Sequence, residues 1–122
     1  GAWDAKIGAG RLQDTELLSQ AAALRAGSPA RDGGAQLDAG VAAGWLSAAD
    51  ASAIAAAAGL FWRMQAAARL LTGGTLAPEE LGAGGRNLIL RETGYTTMDE
   101  LQNAMIAAAQ AADAVISAKL AE

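Results

Sequence analysis

The segment from Ser47 to Gly73 constrains this chain more than any other. Between a residue suited to cap a helix and a glycine suited to end one, Ile54, Ala57, Phe61, Met64, Ala68 and Leu71 recur at alternating spacings of three and four. Positions so spaced share one face of an α-helix, so this is the inward seam of a bundle helix. Asp50 stands where the acidic partner of a capping box belongs, and Gly73-Gly74 supplies the stop.

A long helix with one apolar seam has to bury it against other helices, and the rest of the sequence offers them. Leu12 to Arg25 reads as a first helix, with Leu17, Ala21 and Leu24 as its inward stripe. The string "AGSPARDGG" then breaks it, because Gly27 and Pro29 do not continue a helix and Asp32-Gly33-Gly34 has turn chemistry. Ala35 to Ala43 reads as a short second helix ending near Gly44. Pro78-Glu79-Glu80 is suited to one helical turn, and Arg86 to Thr93 to a short helix closed by Gly94. Thr97 and Glu100 match a capping box, followed by Met98, Leu101, Met105, Ala108, Ala112 and Val115 on one face up to Leu120.

No sustained period-two alternation of β-branched residues competes with helix. The expected fold is therefore an all-α bundle of about four to six helices, with long helices at about 47–72 and 97–121. Residues 1–11 read as a linker and 12–122 as a single bundle domain. Alanine fills 34 of the 122 positions, so the core is built from small side chains and the helices have to approach closely. Gly59, which costs about 1 kcal/mol relative to alanine inside a helix, is expected to mark such a crossing. Trp45 and Phe61 read as core anchors. Trp62, beside Phe61 on the helix, cannot share its seam position and is the exception.

Several kinds of chemistry are excluded. The chain has no cysteine and no histidine, which removes thiol nucleophiles, Cys/His zinc sites and histidine-based catalytic pairs. A net charge of −4 speaks against a nucleic-acid or anionic-membrane surface. The longest uncharged helical run, Ala51 to Trp62, is too short to cross a membrane, and Asp4 and Lys6 interrupt the N-terminus before a signal-peptide core develops. Lack of cysteine is compatible with a cytoplasmic setting. Gly1 in place of Met implies a piece of a larger polypeptide. "GAGR" and "GAGGR" lack the Lys-Ser/Thr of a phosphate loop and read as linkers. Arg63 and Arg69 read as solvated charges.

The most specific stretch is "WDAKIGAGRLQDTELLSQ". Asp14 and Glu16 are two apart and point to nearly opposite sides of a helix, so their spacing does not make a metal-binding pair. Acidic residues in a first turn interact favourably with the helix macrodipole, and Glu16 is placed to bond Gln20 one turn on. The string as a whole, however, resembles the glutamine synthetase adenylyltransferases, in which such a stretch joins a nucleotidyltransferase domain to the helices behind it. Trp3, Asp4, Lys6, Gly10, Leu12, Asp14, Glu16 and Gln20 stand in register with the family's pattern. "WLSAADASAIAAAAGLFWRMQAAARLL" and "GYTTMDELQNAMIAAAQ" look like its C-terminal helical region. Arg11 replaces a second glycine of the pattern, Thr15 and Leu17 replace a bulky apolar and an aromatic residue, and Ala66-Ala67 stands where relatives carry a polar pair.

The resemblance implies a parent enzyme that transfers AMP from ATP to a tyrosine of glutamine synthetase and removes it by phosphorolysis. Mg2+ or Mn2+ would be held by a Gly-Ser-x-Asp-x-Asp type motif of the nucleotidyltransferase domain. That motif does not occur in this chain, so it carries no catalytic and no metal-binding residue under this reading and is expected to be inactive alone. It would be an accessory domain, with Lys6, Asp14 and Glu16 near the seam with the missing nucleotidyltransferase domain, and with glutamine synthetase and the PII signal protein as partners of the whole enzyme. The alternative is a free-standing helical interaction module without enzymatic role.

Overall fold

The computed structural model describes residues 2–73 and 77–121. Five α-helices follow one another: α1 (Leu12–Ala26), α2 (Gly33–Ala42), α3 (Ala48–Thr72), α4 (Ala83–Thr93) and α5 (Met98–Leu120). A single 3-10 turn, Pro78–Glu80, precedes α4, and no strand occurs among the described residues. The chain is thus the expected all-α bundle with two long helices. Helix α3 runs through its middle and lies against each of the other four.

The helix ends follow local chemistry. Ser47 Oγ accepts the Asp50 amide at 3.0 Å and Thr97 Oγ1 the Glu100 amide at 3.1 Å. The Glu100 carboxylate reaches back to the Thr96 amide, at 3.3 Å. The first two bonds pair donors that the first turn of a helix leaves open, and the third fixes the residue ahead of the cap. Gly27, Gly73 and Gly94 end α1, α3 and α4 in the left-handed conformation that an L side chain resists. Gly74, the other half of the expected stop, lies outside the described residues. Helix α2 begins two residues earlier than the sequence suggested, because Asp32 caps it by accepting the Ala35 amide at 3.0 Å. Helix α4 likewise begins at Ala83, taking most of "GAGGR" into its first turn.

The seam of α3 is buried as its spacing predicts. Ile54, Ala57, Phe61, Met64 and Ala68 are buried, Leu71 is half-buried, and Leu60 and Ala67 widen the stripe. On α5, Leu101, Met105 and Ala112 are buried as expected, joined by Ala109 and Ile116, while Leu120 is exposed. Phe61 is fully buried, Trp45 is half-buried against the core, and Trp62 points outward. The Trp45 indole lies 5.4 Å from the Arg25 guanidinium and 6.0 Å from the Lys119 ammonium, so cations from the C-terminal ends of α1 and α5 meet on one ring. Its Nε1 is buried without a hydrogen-bond partner.

Two expectations are overturned. The stripe Leu17, Ala21, Leu24 does not face inward: Leu17 is 52% and Leu24 82% exposed. The buried face of α1 is instead Leu12, Thr15, Leu18, Ser19, Ala22 and Ala23. Thr15 and Ser19 are admitted to the core because each hydroxyl donates to a carbonyl of its own helix, Thr15 to Leu12 at 2.7 Å and Ser19 to Thr15 at 3.0 Å. Gly59 is not the close crossing either. A methyl there would meet only the far end of the Arg63 side chain, at 3.6 Å. The close crossing is at Gly40 of α2, where a methyl would come within 2.8 Å of Ala22 Cβ and 3.2 Å of Leu46 Cδ1.

Exchanging these two glycines for alanine should therefore have opposite effects. Gly59→Ala is expected to stabilise the fold by up to about 1 kcal/mol through helix propensity. Gly40→Ala is expected to destabilise it by about 1–3 kcal/mol through overpacking against a methyl that cannot rotate away. Urea unfolding followed by circular dichroism checks both signs.

Candidate functional site

The residues ahead of α1 form a strap laid onto the bundle. Asp4 starts it: its Oδ1 accepts the amides of Lys6 at 3.0 Å and Ile7 at 3.1 Å, an Asx-type turn that reverses the chain. The Arg11 amide bonds the Gly8 carbonyl at 3.1 Å, and Gly8 and Gly10 both take positive φ, 131° and 73°. The turned strap then caps α1 with its own carbonyls. Ala5 accepts the Leu12 amide at 3.0 Å and Lys6 the Gln13 amide at 2.9 Å, pairing donors that the helix leaves open.

Two neighbouring residues fasten the strap. Gly10 is buried with its Cα against α5, so close that an added Cβ would run into the Ala109 carbonyl and the Asp113 amide. Only glycine combines that contact with the positive φ. Arg11 has no side-chain capping role. Its guanidinium is buried, donates from Nη1 to the carbonyls of Ala2 at 2.7 Å and Asp4 at 2.9 Å, and lies 5.2 Å from the centre of the Phe61 ring. Burial lowers the Arg11 pKa and the nearby Asp4 charge opposes that shift. The Ile7 amide foremost, then the Lys6 amide and the Arg11 charge, hold the Asp4 carboxyl below its ordinary value of 3.8, against the opposing effect of partial burial.

The three residues singled out by the sequence go to different places. Lys6 is exposed and lines a cleft of about 280 Å3 between the strap and α3, together with Trp3, Gln65 and Arg69. Asp14 is half-buried and spends Oδ2 on the Gly10 amide, at 3.0 Å. Glu16 is exposed and lines a separate cleft of about 500 Å3 between α1 and α2, with Gln20 and Arg31. Both Glu16 and Gln20 border that cleft, yet among the described residues no hydrogen bond joins their side chains. The opposite sides that their spacing assigns to Asp14 and Glu16 are thus realised: one holds the strap, the other faces solvent.

No three carboxylates of the described residues stand together as a metal site. Asp14 is committed to the Gly10 amide. What the geometry offers is shape and charge around two clefts. Sequence reasoning missed the Arg11 clamp. A lone arginine after glycine gives no periodic signal, and its partners are main-chain carbonyls that no side-chain pattern reveals. No protein-family model matches the chain, and no curated protein or solved structure matches it. No helix of the described residues is long and apolar enough to cross a membrane.

Gly10→Ala should cost about 2–4 kcal/mol, combining a left-handed non-glycine residue with an overpacked contact. Arg11→Met, which keeps an apolar stem over Phe61 but leaves two carbonyls unpaired, should cost about 1–2 kcal/mol. Denaturant titration checks both.

Acid titration isolates Asp4. A carboxyl with a lowered folded pKa adds stability above its ordinary value and loses it as pH falls through the folded one. Asp4→Asn should therefore show a flatter stability profile than wild type from about pH 4 downward and the same slope at neutral pH. Melting temperatures across that range check it.

Proposed function

We propose that this chain is the non-catalytic C-terminal helical domain of a glutamine synthetase adenylyltransferase, an enzyme that attaches AMP to a tyrosine of glutamine synthetase and removes it in nitrogen regulation. The observation that carries the reading is the string from Trp3 to Gln20. Its spacing is also what the strap uses: Asp4 turns it, Gly10 seats it against α5, and Asp14 holds the Gly10 amide. A motif whose residues set the angle between a preceding segment and a helix suits a junction between two domains. Nucleotidyl transfer needs metal ions and fixed cations to stabilise developing charge. Under this reading the nucleotidyltransferase domain supplies the carboxylates, Mg2+ or Mn2+ and ATP, and the helices supply a rigid neighbour.

Lys6 and Glu16, exposed beside two clefts, would face that domain or its substrate protein, while Asp14 acts indirectly by fixing the strap. Glutamine synthetase and the PII signal protein are the partners the whole enzyme would meet, in the cytoplasm.

The test is reconstitution. The chain alone, given labelled ATP and glutamine synthetase, should transfer no AMP. Added to a truncated nucleotidyltransferase half, it should raise the rate by roughly tenfold to a hundredfold, the scale of recovered positioning. No change in rate, with both parts folded, would favour the free-standing interaction module instead. In the full-length enzyme, Lys6→Ala and Glu16→Ala should slow transfer without shifting the melting temperature, whereas Asp14→Ala should lower both.

A further inference from the structure

Outside the strap, the outer ridge of α3 departs from a solvated bundle surface. Trp62 is 64% exposed and Leu70 82%, and with Ala66 between them they occupy successive turns of one helical face. A cleft runs along each side of the ridge, one of about 430 Å3 over Gln65 and Arg69 and one of about 180 Å3 towards Leu88 of α4. The first is continuous, through Gln65 and Arg69, with the cleft under the strap, where Ile7 is 63% exposed. Large exposed apolar residues on one contiguous surface mark a contact site more often than chance.

The charges around this face narrow the occupant. Lys6, Arg63 and Arg69 border it, and among the described residues none of the three makes an ion pair. Asp4 and Glu92 also border it, the first already engaged by two backbone amides. In a chain of net charge −4, a cluster of unpaired cations around apolar anchors is complementary to an acidic partner. A second copy fits poorly, because a two-fold contact would bring three more cations into the same interface with only Glu92 and the already engaged Asp4 to offset them.

We propose that the Trp62–Leu70 ridge, with Ile7 and its three cations, docks an amphipathic helix of a partner protein that presents aliphatic side chains flanked by carboxylates. Ridge and clefts follow α3, the arrangement in which a second helix sets its own side-chain rows into the grooves. Trp62 is the anchor, and the cations set orientation. Trp62, Leu70, Arg63 and Arg69 do not depend on the adenylyltransferase reading, whereas Lys6 and Ile7 border the cleft that reading assigns to the domain seam.

The probe is a pair of helical peptides of equal length, both with leucines at helical spacing, one flanked by glutamates and the other by lysines. The glutamate peptide should bind the intact chain saturably, weaken with salt, and shift the backbone amide resonances of residues 62–70. The lysine peptide should bind roughly tenfold more weakly or worse. Trp62→Ala, Leu70→Ala and the double variant Arg63→Glu/Arg69→Glu should each weaken the glutamate peptide by roughly tenfold or more, the scale of a lost anchor. All three leave exposed positions, so their melting curves should stay at wild type. Failure of the glutamate peptide to saturate overturns the proposal, as does equal binding of the lysine peptide or resonance shifts confined to other helices. Sedimentation with phosphatidylserine vesicles, or a dimer abolished by Trp62→Ala, would assign the face to a bilayer or a second copy and also overturn it.

Discussion

Close approach of backbone to backbone is the constraint on which the rest of this structure depends. Eight of the twenty buried apolar residues are alanine and offer little area each, and buried apolar surface stabilises at about 25 cal/mol per Å2. The helices compensate by coming near enough for main chains to touch, and glycine makes the tightest contacts possible. Gly40 lets α2 settle onto Ala22 of α1, and Gly10 lets the strap settle onto α5 at Ala109. The second contact fixes the direction of the strap ahead of α1.

That direction is over-determined. Carbonyls of Ala5 and Lys6 cap the helix, Asp14 holds the Gly10 amide, and Arg11 ties the first residues of the strap to the bundle over Phe61. The arginine is notable for where it acts. At this turn the chain carries a long side chain that folds beneath the strap, so the close approach is made at Gly10 while its neighbour makes two hydrogen bonds. The proposed role of positioning a neighbouring domain would draw on such stiffness.

Much of the fold was legible because caps and seams are local. Ser47, Thr97, Gly73 and Gly94 mark helix ends through bonds within one turn, and the seam of α3 contains Phe61 and Met64, large enough to dominate its periodicity. Helix α1 was misread for the opposite reason. Its buried face includes Thr15 and Ser19, whose hydroxyls are satisfied within the helix, so its hydrophobic pattern is weak, while Leu17 and Leu24 trace a cleaner stripe on the outside. The role of a glycine was equally hidden, since Gly59 and Gly40 look alike in sequence and differ only in what crosses them. For the site, the string named Lys6, Asp14 and Glu16, but the sorting of Asp14 to support and of the other two to separate clefts depends on the turn that precedes α1.

The central claim is that the strap belongs to the folded body and is not a loose tether. Native-state hydrogen exchange of the Gly10, Leu12 and Gln13 amides tests it most directly, because their acceptors lie at Asp14, Ala5 and Lys6. The account predicts protection at these three amides comparable to that in the middle of α1. Exchange at the rate of an unstructured peptide, with α1 itself protected, would contradict it.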